Sequence, residues 1–196
     1  MFSTNWKDHF EVLQPVLCRQ ERKTLQRLRS PKRKAEWLAA RRLLYLLKGE
    51  YVPVHYNDHG KPGLADGTET SISHTSGFVG IILAKKNVRV GIDLEILSDK
   101  ILNLYPKFIE PELLLSQTPA DKIRECYLHW CGKEVLFKIT DNQSVSFKDD
   151  FTININSLQE KGVAWGTFSK QKTTLEKKIN YLFFPVPPKT LLIMWS

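Results

Sequence analysis

Cysteine is scarce in this chain. There are three among 196 residues, Cys18, Cys126 and Cys131, an odd number with no Cys-x-x-Cys between them. That argues against a disulfide framework and against a paired-cysteine zinc site, and the thiols read as buried or half-buried side chains. Long apolar runs are missing too: none approaches the twenty or so residues that a membrane-spanning helix requires. The opening Met1-Phe2-Ser3-Thr4-Asn5-Trp6-Lys7 has no apolar stretch of the kind a secretory signal carries. The expectation is therefore a cytoplasmic protein without membrane contact. No low-complexity segment interrupts the chain. Acidic residues are outnumbered 21 to 29, for a formal charge of +8. The excess favours an anionic partner (nucleic acid, a nucleotide cofactor or an acidic protein) without choosing among them. It is densest between Arg19 and Arg42, where a solvated helix face is the plain alternative.

What is present is ordinary in bulk. Hydrophobic residues make up 42% and charged residues 26%, which suits a globular chain long enough to bury a core without staples. Arg19 to Arg29 reads as helix. Ser30-Pro31 reads as an N-cap with proline in the first turn of a second helix, and Gly49 as its stop. The stretch from His55 to Gly67 is rich in turn residues. A meander of three strands is expected next, at Ser71–His74, Phe78–Ala84 and Val88–Ile96, with Lys85-Lys86-Asn87 turning the chain. After an irregular stretch, Thr118-Pro119 opens a long helix to about Ile139. Strands are expected at 151–155, 163–168, 180–184 and 191–195, with Pro185, Pro187 and Pro188 breaking the chain before the last. Helix then strands, twice over, divides the chain into 1–97 and 98–196.

Two acidic signatures stand out against this background. In Val90-Gly91-Ile92-Asp93-Leu94-Glu95 the strand alternation puts Asp93 and Glu95 on one face, roughly 7 Å apart. Adjacent carboxylates repel and raise one another's pKa, and a shared cation removes the conflict. A strand with one wet face is the alternative. In Trp130-Cys131-Gly132-Lys133-Glu134-Val135-Leu136-Phe137-Lys138 the helical wheel puts Glu134 inside an apolar stripe of Ile123, Tyr127, Trp130 and Phe137. A carboxylate there costs several kcal/mol unless it is paired or metal-bound. Lys133 and Lys138 flank the stripe on opposite sides, either as snorkelling lysines or as partners for phosphate. Three carboxylates are hard ligands of the kind that magnesium or manganese takes.

Gly60-Lys61-Pro62, Ser71-Ile72-Ser73-His74, Gly91-Ile92-Asp93-Leu94-Glu95 and Trp130-Cys131-Gly132-Lys133-Glu134 with Lys138 occur in the order seen in 4′-phosphopantetheinyl transferases. The chain resembles the larger, surfactin-synthetase-activating type over about residues 30 to 140. The last two motifs are the specific ones. Cys131-Gly132 departs from the commoner residues at those positions, and the chain is short for the type.

The resemblance implies an α+β fold: a pseudo-dimer of two similar α/β halves, each a small antiparallel sheet on a long helix, with the active site in the cleft between them. It implies a monomer that moves the 4′-phosphopantetheine arm of coenzyme A onto a serine of an apo acyl or peptidyl carrier protein, releasing 3′,5′-ADP. Asp93, from the first half's edge with Glu95, and Glu134, from the second half, would hold magnesium, manganese being possible. Lys61 and His74 would contact coenzyme A phosphates, His74 near the 3′-phosphate. Arg41, with Arg42 as the alternative, would be a further contact. Lys133 and Lys138 would stabilise the phosphates and the leaving group, and Glu134, directly or through water, would take the serine proton. The acidic helix that carrier proteins present would suit the basic surface. Two rivals remain. A metal-dependent nuclease or phosphohydrolase also needs clustered acids, but would not require Gly60-Lys61-Pro62 or Ser73-His74. A basic nucleic-acid-binding module leaves Glu134 without a reason.

Overall fold

A computed structural model describes residues 6–196, so the reading of Met1–Asn5 lies outside the described residues. The chain divides into two compact units, the first ending at Arg89 and the second beginning at Val90.

Unit 1 comprises helices α1 (Trp6–Leu13), α2 (Arg19–Arg27) and α3 (Pro31–Lys48), and strands β1 (Val54–Tyr56), β2 (Pro62–Leu64), β3 (Glu69–Thr75) and β4 (Phe78–Ala84). Helix α3 begins and ends as the sequence predicts. The Ser30 hydroxyl accepts from the Arg33 amide, Pro31 fills the first turn, and Gly49 closes the helix at φ 75° with its amide donating to the Tyr45 carbonyl. Helix α1 packs on α3, and α3 on β4. Leu13, Leu17, Leu25 and Leu38 fill the space among the helices. Leu44, Val52, Val54 and Leu64 form a second cluster. The turn-rich stretch holds the β1–β2 hairpin, with Val54 opposite Leu64.

Unit 2 comprises β5 (Ile92–Ile96), three short 3₁₀ turns within 99–113, the helix α4 (Pro119–Thr140), and β6 (Phe151–Ile155), β7 (Lys161–Lys170), β8 (Thr173–Val186) and β9 (Lys189–Trp195). The five strands form one antiparallel sheet in the order β5-β9-β8-β7-β6, and α4 lies across all of them. The helix is buried on several sides, from Cys126 and Leu128 to Leu136 and Ile139. Of the apolar stripe, Tyr127 is buried. Ile123, Trp130 and Phe137 are half-buried, because aromatic residues such as Phe108 and Phe147 cover that side.

The class is α+β, with four helices and small antiparallel sheets among the described residues. The meander expectation fails at its third strand. β3 and β4 pair only with each other, while Ile92–Ile96 pairs with Leu191–Trp195 at the other end of the chain. The strand carrying Asp93 and Glu95 thus belongs to unit 2, and the division falls at 89/90 rather than at 97/98. Among the described residues no helix is long and apolar enough to cross a membrane.

Candidate active site

The acids of the two signatures share one neighbourhood, and two glycines explain how. Strand β5 lies at one edge of the sheet. Asp93 and Glu95 sit opposite Met194 and Leu192, both fully buried, so they point to the face covered by α4. A Cβ on Gly91 would stand 2.5 Å from the carbonyl oxygen of Val135 in α4, and one on Gly132 would stand 2.8 Å from the end of Ile153 in β6. These glycines let strands approach the helix closely at the two signatures.

Asp93 is nearly inaccessible, at 5% exposure. Its Oδ1 accepts from Lys138 Nζ at 2.8 Å, and the same ammonium donates to the Ile92 carbonyl at 2.8 Å. Cys131, one turn before Val135, hydrogen-bonds Asp93; burial, then the charges of Asp93 and Glu95, push its thiol well above the ordinary range. Glu134 is pushed up to about 7, first by burial, then by the Asp93 charge; Lys138 pulls the other way and Glu95 adds to the rise. Glu134 is therefore acted on by two other carboxylates and by the Lys138 ammonium. The donor set fits a hard divalent cation in chemistry. Among the described residues, no three such side chains are arranged to hold a metal ion.

Lys133 is not part of this group. Its Nζ donates to the backbone carbonyls of Phe108, Phe147 and Lys148 at 2.6, 2.5 and 3.4 Å. Burial lowers its pKa to about 8. The sequence reading sets it beside phosphate; the structure commits all three of its donors to tying α4 to the segments that flank it. The wheel contains the reason: Lys133 and Lys138 leave the helix on opposite sides, and only Lys138 faces β5.

Unit 1 holds the remaining candidates. A cavity of about 310 Å³ is lined by Arg33, Glu36, Trp37, Arg41 and His74 among others. His74 Nε2 accepts from Arg33 at 3.0 Å, and its Nδ1 lies 3.4 Å from Glu36, a buried carboxylate that Arg33 also approaches at 3.5 Å. Arg33 and Glu36 were not singled out in the sequence; their i, i+3 spacing on α3 was the available signal. Arg41 is 2% exposed. Its guanidinium donates to Glu21 at 3.1 Å and to the Trp37 carbonyl at 3.2 Å, and stacks 3.3 Å over the Trp37 ring. It holds helices together, and the phosphate contact that the resemblance implies falls on a side chain already engaged. Arg42, the alternative, is half-buried. Lys61 pairs with Glu69 at 3.8 Å. No family model matches the chain, and no curated protein matches it.

Proposed function

We propose that the protein is a 4′-phosphopantetheinyl transferase acting on an apo acyl or peptidyl carrier protein, with coenzyme A as donor. The observation that carries the proposal is the convergence of Asp93, Glu95, Glu134 and Lys138 on the β5–α4 contact, with Gly91 making room for it. The two signatures of the resemblance are far apart in sequence, and their chemical groups need to meet for this reaction. The paired-halves architecture and the cytoplasmic location are part of the same proposal.

Asp93, Glu95 and Glu134 would hold magnesium, which supplies neutralisation of pyrophosphate charge. Glu134, which burial and the neighbouring carboxylates push up in the cation-free protein, would take the serine proton directly or through a water. In the proposed step the serine oxygen forms a bond to the β-phosphorus of coenzyme A as Glu134 receives its proton. The bond from that phosphorus to the bridging oxygen breaks, and 3′,5′-ADP leaves. Lys138 would offset charge growing on the departing oxygen. Lys61 and His74, with Arg33 beside His74, are proposed as coenzyme A contacts in unit 1, where cationic groups suit phosphate.

The test is a mass measurement on carrier proteins incubated with the enzyme, coenzyme A and magnesium. Addition of one phosphopantetheine group, absent without coenzyme A, is the expected result. No mass gain across fatty-acid, polyketide and peptide carriers would overturn the proposal.

A further inference from the structure

Lys138 occupies an unusual position for a helix lysine. Its side chain is 24% exposed, and its ammonium bridges a nearly inaccessible carboxylate and a strand carbonyl, both at 2.8 Å. It reaches Asp93 from α4, so this cation bridges helix and edge strand. A bare ammonium at that distance is a monovalent ion already in place on the carboxylate cluster. Two cations that need the same oxygen repel each other, and a divalent ion attracts three carboxylates more strongly than a monovalent one at equal distance. Departure of Lys138 from Asp93 and entry of a divalent cation are thus coupled, and the coupling acts equally in both directions.

We propose that Lys138 is a tethered counterion: it holds Asp93 in the cation-free protein, and a divalent cation must displace it to bind. The displaced ammonium is then available to the phosphate groups of the substrate. The inference rests on the metal-dependent transferase reading and adds to it a second state for Lys138. It also accounts for the acids lying together while, among the described residues, no set of three is arranged to ligate: Asp93 Oδ1 is turned to the lysine.

The experiment measures binding of manganese alone by calorimetry, using the full chain and the variants Lys138→Met and Lys138→Arg. Lys138→Met is expected to bind manganese about tenfold tighter than the unsubstituted protein, and Lys138→Arg about as the unsubstituted protein does. Equal or weaker binding by Lys138→Met overturns the proposal, and so does absence of manganese binding by the unsubstituted protein at millimolar concentration. The unsubstituted protein, labelled with ¹⁵N at its lysine side chains, serves if Lys138→Met does not fold. Titration with magnesium should then move the Lys138 ammonium resonance, and a resonance that stays put overturns the proposal. The two readings can fail separately. Tight manganese binding by Lys138→Met, with no carrier modification by the unsubstituted protein, removes the transferase and keeps the counterion. Carrier modification without the gain in manganese affinity does the reverse.

Discussion

Each unit buries a carboxylate against a cation, and the surroundings of the two pairs differ. In unit 1, Glu21 accepts from Arg41 Nε at 3.1 Å, from the Val54 and Cys18 amides at 3.3 and 3.4 Å, and from the Tyr51 hydroxyl. One charge meets one charge, and the spare lone pairs are filled by neutral donors. Burial, and then Glu21 itself, push the Tyr51 phenol far above its ordinary range, so it stays a donor at any ordinary pH. In unit 2, Asp93 accepts from the Lys138 ammonium, and Glu134 feels both of these charges and that of Glu95. The first arrangement sets one carboxylate against one cation; the second gathers three carboxylates near one helix lysine. Both carboxylates are buried, so burial alone does not tell the two arrangements apart, whereas the number of carboxylates around the cation does. The same contrast holds over the whole units in opposite sense. Residues 1–89 hold 16 basic and 8 acidic side chains and residues 90–196 hold 13 of each, so the entire excess of +8 sits in unit 1.

The largest expected effect breaks the comparison on the functional side. Glu134→Gln should reduce carrier modification roughly 10²- to 10⁴-fold, the range in which a positioned general base acts. Its melting temperature should hold or rise, because one of the crowded like charges is gone. A variant that modifies carriers at the full rate removes Glu134 from the proposed step.

On the structural side, Arg41→Met should cost about 3–5 kcal/mol of stability in urea titrations, because Glu21 is left buried with no cation. Adding Glu21→Leu should recover much of that loss, since an apolar pair replaces an ionic one. If Arg41→Met unfolds at the same urea concentration as the unsubstituted protein, Glu21 and Arg41 do not form the buried ion pair described above. Asp93→Asn provides the contrast in unit 2. It relieves crowding while loosening Lys138, so its effect on stability should be far smaller than that of Arg41→Met.

These residues also show what could be read from the sequence. Ser30, Pro31 and Gly49 mark the ends of α3 because caps are local chemistry, decided within four residues. The shared face of Asp93 and Glu95 follows from strand alternation, and the opposed directions of Lys133 and Lys138 from helix periodicity. Which direction leads to β5 is a tertiary fact, and so the role of Lys133 was out of reach. The pairing of β5 with β9 joins residues about a hundred positions apart, and nothing in Ile92–Ile96 names that partner. Arg41 shows the limit of motif carry-over: its place in Ala39-Ala40-Arg41-Arg42 says nothing of Glu21, twenty residues away, which takes its charge.

Acid should affect unit 2 through His129 on α4. This side chain is 8% exposed, and burial lowers its pKa from 6.5 to about 4, with Lys133 pushing in the same direction and Glu125 opposing. The unfolded chain therefore takes up the proton first. The stability that His129 contributes is complete above pH 6.5 and is lost as the pH falls towards 4. Between pH 7 and pH 5 the loss from this group is on the order of 2 kcal/mol. Urea titrations at the two pH values should show it, and His129→Leu should flatten the difference. An unchanged pH dependence in that variant would assign the acid sensitivity to other groups.

The smallest effect concerns the two glycines, and it separates positioning from packing. A methyl group at Gly91 meets a backbone carbonyl of α4 at 2.5 Å, which cannot move without shifting helix or strand; one at Gly132 meets only side-chain atoms, those of Ile153, at 2.8 to 3.3 Å. Gly91→Ala should cost about 1–3 kcal/mol, the range for overpacking a tight contact, and Gly132→Ala should lie at or below the low end of it. Only Gly91→Ala moves the strand that carries Asp93 relative to the helix that carries Glu134 and Lys138. Carrier modification should therefore fall in Gly91→Ala out of proportion to its stability, when both variants are assayed well below their melting temperatures. Equal activity loss in the two would mean that the β5–α4 approach does no more than fill space, and the site would then have to lie elsewhere than at this contact.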